Sequence, residues 1–205
     1  MPITALNASS ALVVIDIQKG IVAMPTVHPI GPVIDNVLRL AEAFRANGRP
    51  VVLVRVGFSK GGADAVKTRV AAAMPAGNLP PDFSDYVDAL DADPERDILI
   101  LKHQWGAFYG TGLELQLRRR GVTDIVLCGV ATSIGVESTA RDAYERSFNL
   151  TFAVDAMTDR NASAHERAVE IIFPRIGELG TTDEILAYAM RSTVGRASTG
   201  TATPS

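Results

Sequence analysis

Two ionisable residues stand where apolar runs end, and residues so placed can carry out acid–base chemistry. Asp16 lies near the end of ALVVIDI (residues 11–17), and Lys102 directly follows DILIL (residues 97–101). Burying an unpaired carboxylate costs on the order of several kcal/mol, so Asp16 must be paired or protonated. Taken singly, Asp16 is more typical of a loop-anchoring acceptor and Lys102 of a solvated surface charge.

The apolar pattern indicates how these residues are positioned. Short β-branched runs alternate with amphipathic stretches, which predicts βαβ units and a mostly parallel sheet covered on both faces. Ligands of such sheets bind beyond the carboxyl ends of the strands. We therefore expect Asp16, Lys102 and the turn GVATSIGVESTARDA (residues 129–143) to meet at one edge. Strands are predicted at 11–17, 51–56, 97–101, 124–130, 150–154 and 178–181, and helices at 33–46, 63–73, 112–120, 133–146, 162–173 and 183–190.

Length and composition limit the domain organisation and the class of partner. The 205 residues predict one domain, residues 1–191, followed by a small, polar tail, residues 192–205, that is expected to be disordered. A net charge of −3 without a basic stripe favours neither nucleic acid nor a membrane surface as partner. With a single cysteine and neither a secretory leader nor a membrane-spanning run, a cytoplasmic location is expected.

Four segments resemble, in order, the isochorismatase-like superfamily, also called the cysteine hydrolases. They are ALVVIDIQ (residues 11–18), the long segment 102–156, His165 with its helical surroundings, and TTDEIL (residues 181–186). The resemblance implies an α/β fold, a doubly wound three-layer sandwich with a six-stranded mostly parallel sheet. It also implies a homo-oligomer, either a dimer or a tetramer, that acts on a small-molecule substrate.

The resemblance assigns roles to the residues at the strand ends. Amidase members use an Asp as general base for a nucleophilic Cys beside a Lys, and these positions are Asp16, Gly135 and Lys102 here. A non-proline cis peptide is implied at Val130–Ala131, and the backbone N–H groups of Ala131 and Gly135 match the oxyanion hole. The chain is thus identified with the branch that has glycine in place of the nucleophile.

True isochorismatases also have glycine there and hydrolyse a vinyl ether by protonating its enol carbon. The resemblance therefore favours a nucleophile-free hydrolase in which Asp16 is the general acid and Lys102 its electrostatic partner. Isochorismate itself fits less well, because Ala131 replaces an aromatic residue and Gln104 replaces an arginine. The candidate substrate-binding residues are Gln18, Gln104, Trp105, Phe108 and Ile134, of which Trp105 and Phe108 fit core or interface packing equally well.

Two alternatives and one exclusion complete the prediction. The missing nucleophile also fits a non-catalytic protein that binds a small ligand. A cysteine amidase using Cys128 is a third reading, but this thiol lies inside an apolar strand, where burial raises its pKa. The nicotinamidase-type metal motif Asp-x-His does not occur around His28, His103 or His165, so neither a metal nor a cofactor is expected.

Overall fold

The computed structural model describes residues 3–71 and 79–194 and contains a six-stranded parallel sheet. Its strand order is β3-β2-β1-β4-β5-β6, which is that of a doubly wound sheet, so the predicted fold class is confirmed. The strands are β1 Ser10–Ile15, β2 Val51–Val56, β3 Ile98–Lys102, β4 Asp124–Val130, β5 Asn149–Thr158 and β6 Glu178–Gly180.

Helices cover both faces of the sheet. The α-helices are α1 Lys19–Val22, α2 Ile30–Ala46, α3 Leu113–Arg119, α4 Glu137–Glu145, α5 Ala162–Arg167 and α6 Thr182–Val194. Two π-helical turns, Thr132–Val136 and Ala168–Ile172, and two 3₁₀ turns, Asp88–Leu90 and Phe173–Arg175, lie between them. No helix within the described ranges is long and apolar enough to cross a membrane.

Strand β1 is buried along its whole length because successive side chains enter two different cores. Leu12 and Val14 pack in the core that also contains the apolar faces of α2 and α6. Val13 and Ile15 point the other way, into the core formed with α3 and α4. The apolar face of α2 comprises Val33, Val37, Leu40, Ala41 and Phe44, which recur at helical spacing.

The long segment between β2 and β3 differs from its prediction. A helix was expected over residues 63–73, but residues 63–71 form turns and irregular chain, and residues 72–73 lie outside the described residues. The Asp64 carboxylate accepts hydrogen bonds from the Ser59 backbone N–H at 2.7 Å and from the Ser59 hydroxyl at 2.9 Å. Such side-chain bonds compete with helical backbone bonds and stabilise a loop.

Other boundaries move by a few residues. β5 runs on to Thr158 because its pairing with β4 shifts register between Leu127 and Gly129, which adds residues to the strand. The helices predicted over 133–146 and 162–173 are each interrupted by one of the π turns. α6 extends to Val194, so the first residues of the predicted tail are helical, whereas residues 195–205 lie outside the described part of the chain.

Candidate active site

The candidate site lies where the strand order reverses. β1 and β4 are neighbours, and the connections that leave them run to opposite sides of the sheet, which opens a crevice at their carboxyl ends. Asp16 directly follows β1, and its left-handed φ of 51° turns the chain out of the strand. Lys102 is the last residue of β3, and Gly135 lies in the π turn after β4. The three predicted catalytic positions therefore converge.

Asp16 and Lys102 form a buried ion pair. Lys102 Nζ lies 2.7 Å from Asp16 Oδ2, although 86 residues separate the two in sequence. The ammonium also donates to the carbonyl oxygens of Trp105 at 2.9 Å and Gln104 at 3.3 Å, so its three N–H bonds all have acceptors. Only 5% of Asp16 and 2% of Lys102 is exposed. The lysine is therefore a fixed charge and not a mobile surface group.

The pair leaves one carboxylate oxygen of Asp16 unused. Asp16 Oδ1 is buried and has no hydrogen-bond partner among the described residues. Burial raises the pKa of Asp16 from 3.8 to about 6, and the attraction of Lys102 only partly opposes this rise. Half of this carboxyl group is protonated at about pH 6 and about a tenth at pH 7, and Oδ1 is free to carry the proton.

Gly135 faces this carboxyl group. A β-carbon at position 135 would lie 3.2 Å from Asp16 Oδ2 and 3.5 Å from Lys102 Nζ. It would also lie 2.9 Å from Ile15 Cγ2, which is closer than real β-carbons approach another atom. A side chain here would thus point into the ion pair, and a neighbouring methyl group fills part of the space that such a side chain needs.

The turn that carries Gly135 is fixed by contacts that the sequence did not reveal. The peptide bond between Val130 and Ala131 is cis, as the resemblance implied. Thr139 Oγ1 donates to the Gly135 carbonyl at 2.7 Å and accepts from the backbone N–H of Ala107 at 3.1 Å. Thr139 thereby ties the turn to the loop after Lys102. The sequence offered one signal for this role of Thr139, namely its position four residues after Gly135 on a predicted helix.

Asp159 holds the same turn from the end of β5. Its Oδ2 accepts the Ser133 backbone N–H at 2.7 Å, and its Oδ1 accepts the backbone N–H groups of Arg160 and Asn161. The residue is 2% exposed. Like Asp16, it is a carboxylate that directly follows a strand, and that position could have identified it. The oxyanion-hole role of the Ala131 and Gly135 N–H groups stays a prediction.

The predicted substrate-binding residues divide into two groups. Gln18 and Gln104 use their amide groups to hold the backbone: Gln18 bonds Val56 and Phe83, and Gln104 bonds Gly106 and Tyr109. Phe108 is buried and packs in the core beside Phe148. Trp105 and Ile134 are 64% and 37% exposed. These last two have the most exposed side chains of the five, whereas Gln104 is half-buried.

Cys128 does not reach the site. The residue is fully buried in the core of α2 and α6, and its thiol lies 3.9 Å from the Val13 carbonyl. Burial raises the pKa of the Cys128 thiol far above neutrality. Both observations confirm it as a core residue, so it cannot supply the nucleophile that position 135 lacks.

Two histidines lie together at the same end of the sheet. The rings of His28 and His165 meet edge to face with centroids 4.7 Å apart, and each has a threonine hydroxyl within hydrogen-bond distance of Nδ1. Burial and the neighbouring His28 lower the pKa of His165. Across residues 3–71 and 79–194, no three or more His, Cys, Asp or Glu side chains are grouped so that they could hold a metal ion.

The chain is similar to known proteins both in sequence and in fold. A family model described as Isochorismatase domain matches residues 10–184. The sequence is 50% identical over 183 residues to the uncharacterized isochorismatase family protein YecD of Escherichia coli O157:H7, covering 88% of this chain and 97% of that protein. It is 30% identical over 223 residues to the ureidoacrylate amidohydrolase RutB of Methylobacterium radiotolerans, covering 95% and 86%. An isochorismatase family protein from Burkholderia thailandensis has a TM-score of 0.87 at 44% identity, covering 91% of this chain and 98% of that one.

Proposed function

Because the chain belongs to the isochorismatase family of hydrolases, we propose that it hydrolyses a small carboxylated vinyl ether without a protein nucleophile. Asp16 is the general acid, and Lys102 is its electrostatic partner. The observation that carries this proposal is Gly135, whose missing side chain would face Asp16 Oδ2 at 3.2 Å. Thioester chemistry needs a thiol at that point, whereas protonation needs only the acid.

The reaction uses the proton that a raised pKa leaves on Asp16. The carboxyl group transfers this proton to the terminal carbon of the enol ether, and the C=C electron pair forms the new C–H bond. An oxocarbenium ion results. Water adds to its carbon and returns one proton to the Asp16 carboxylate, which gives a hemiketal. Collapse of the hemiketal releases an alcohol and a 2-oxo acid, so the enzyme ends in its starting protonation state.

Lys102 supports this sequence electrostatically. An ammonium 2.7 Å from the carboxylate stabilises the charge that Asp16 acquires when it loses its proton. The same charge attracts the carboxylate of the substrate towards the crevice. Since Trp105 and Gln104 carbonyls hold the ammonium, it remains in place through both steps. Trp105 and Ile134, the two exposed candidates, are proposed to contact the substrate.

The test measures release of the 2-oxo acid. Isochorismate and simpler carboxyvinyl ethers are incubated with the purified protein, and pyruvate is coupled to lactate dehydrogenase. We expect turnover in the wild type and a loss of at least about 100-fold in Asp16→Asn, the usual contribution of a general acid. Asp124→Asn is the matched control, because Asp124 is a buried aspartate at the opposite end of β4. Full activity in Asp16→Asn would refute the mechanism.

The two alternatives are outcomes of parallel measurements. A ligand from the same panel that raises the melting temperature without turnover would indicate a non-catalytic binding protein. Native iodoacetamide labelling decides the role of Cys128: labelling of the thiol, with loss of activity in Cys128→Ser, would indicate an amidase. We expect the thiol to stay unlabelled, because it is fully buried. The homo-oligomer expected from the resemblance stays a prediction, and light scattering measures it.

A further inference from the structure

A charged cavity lies at the end of the sheet opposite to Asp16. Its volume is about 610 Å³, and its walls are the segments that lead into β1, β2, β3 and β4. Four arginines line it, namely Arg45, Arg49, Arg96 and Arg120, together with the acidic residues Glu95 and Asp97. Basic groups thus outnumber acidic ones, although the whole chain has a net charge of −3.

Two of the four arginines are neutralised within the wall. Arg45 forms a bidentate pair with Asp97, with distances of 2.9 Å to Oδ1 and 2.8 Å to Oδ2. Arg96 bonds Asp97 at 3.2 Å and Asp91 at 3.1 Å. Asp97 is thus paired with Arg45 and Arg96, and among the described residues it forms no ion pair with Arg49 or Arg120.

Arg49 is buried without a counter-charge. Only 7% of it is exposed, yet it pairs with no carboxylate among the described residues. Its guanidinium donates to the Ser10 hydroxyl at 2.7 Å and lies 5.6 Å from the ring centre of Phe44. Burial lowers the pKa of Arg49, and no nearby acid opposes that change. A buried cation without an ion-pair partner is costly, and an anion that accompanied it would lower that cost.

Arg120 adds a second cation at the rim of the same cavity. It ends the turn after α3, and its guanidinium bonds only the carbonyl and side-chain oxygens of Gln116 within the described residues. Arg119 precedes it on the exposed surface but does not line the cavity. Arg120 therefore lines the cavity, whereas the adjacent Arg119 lies outside it.

We propose that this cavity binds a small oxyanion, a phosphate or carboxylate group of a metabolite, between Arg49 and Arg120. A guanidinium presents several N–H donors in one plane, and phosphate and carboxylate groups accept them in pairs. The bound anion provides the negative charge that no carboxylate of the cavity wall provides for Arg49. This site is separate from the proposed hydrolytic centre, which lies at the carboxyl ends of the strands.

The experiment is a calorimetric titration with inorganic phosphate and, separately, with succinate at constant ionic strength. We expect saturable binding of at least one of them, one anion per chain, and the stronger binder identifies the phosphate or the carboxylate class. Arg49→Gln and Arg120→Gln should each weaken binding about tenfold or more, the usual effect of losing a charge-assisted contact. Arg119→Gln and Asp16→Asn should bind like the wild type.

Three results would overturn the proposal. One is the absence of saturable binding for both anions, and another is a Kd in Arg120→Gln equal to that in Arg119→Gln. The third is a weakened Kd in Asp16→Asn, which would locate the anion in the hydrolytic site. Since Arg49→Gln removes a buried group and can impair folding, Arg120→Gln, an exposed position, decides the outcome by itself.

Discussion

The β-carbon position of Gly135 lies 3.2 Å from Asp16 Oδ2, within the reach of a side chain that this protein does not have. In a hydrolase that uses a thiol, a carboxylate at this distance accepts the thiol proton. Here the same carboxylate faces a position that has no side chain, and burial raises its pKa to about 6. We propose that this raised pKa lets Asp16 donate a proton at and below about pH 6.

This difference has a definite pH signature. A general acid with a pKa of about 6 is active below that pH, because the protonated carboxyl group is the reactive form. We expect kcat/KM to be level below pH 6 and to fall about tenfold per pH unit well above it. Steady-state rates from pH 4.5 to 8.5 check this. A rate that rises through pH 6 would instead indicate that Asp16 acts as a base.

Stability should depend on the same group. Asp16 titrates near 3.8 when unfolded and near 6 when folded, so between these values the native state holds more protons. The free energy of unfolding should therefore fall as pH rises from about 4 to 6. Asp16→Asn removes the titrating group, and its denaturation curves should lose this part of the pH dependence. An unchanged slope in that variant would assign the effect to other groups.

Removing Lys102 should act on Asp16 as well as on the fold. In Lys102→Met, burial raises the pKa of Asp16 with no attraction to oppose it, so the falling limb of the rate profile should move to higher pH. Because the remaining carboxyl group can neutralise by protonation, the unfolding free energy should fall by less than the about 3–5 kcal/mol that an uncompensated buried charge costs. Urea denaturation and the pH–rate profile measure the two effects.

The exposed Lys60 offers the control for that substitution. Lys60→Met removes a surface ammonium and should leave both the denaturation curve and the profile unchanged. A falling limb that stays at the wild-type pH in Lys102→Met would contradict the electrostatic role given to this lysine.

Adding a single methyl group at position 135 should also be costly. In Gly135→Ala the new β-carbon would lie 2.9 Å from Ile15 Cγ2, and overpacking of a core costs about 1–3 kcal/mol. Gly31→Ala is the matched change, since that glycine lies in α2 with no atom within 4 Å of the added carbon. It should therefore cost less stability than Gly135→Ala. Equal melting temperatures for the two variants would contradict the crowding at Ile15.

The elements and the ion pair were predictable because each depends on a local pattern. β2 and β4 begin and end where their apolar runs do, and Asp16 and Lys102 lie at strand ends, where a parallel sheet collects them. Gln18 shows what could not be predicted. Its amide bonds the backbone of Val56 and Phe83. Partners so distant along the chain cannot be identified from the residues around Gln18.

The π turns were missed for a different reason. Over the five residues of Thr132–Val136, apolar spacing cannot distinguish a π turn from an α-helical one. The segment between β2 and β3 was misjudged because Ser59 and Asp64 hold it by side-chain bonds that helix propensity does not describe.

The methyl group of Ile15 also sets how this protein can diversify. A cysteine introduced at position 135 would have its β-carbon against Ile15 Cγ2 before its sulfur could approach Asp16. A side chain at position 135 therefore requires Ile15 to shift by a few tenths of an ångström or to be replaced by a smaller residue. Residue 15 is thus a second determinant of whether position 135 can carry a side chain.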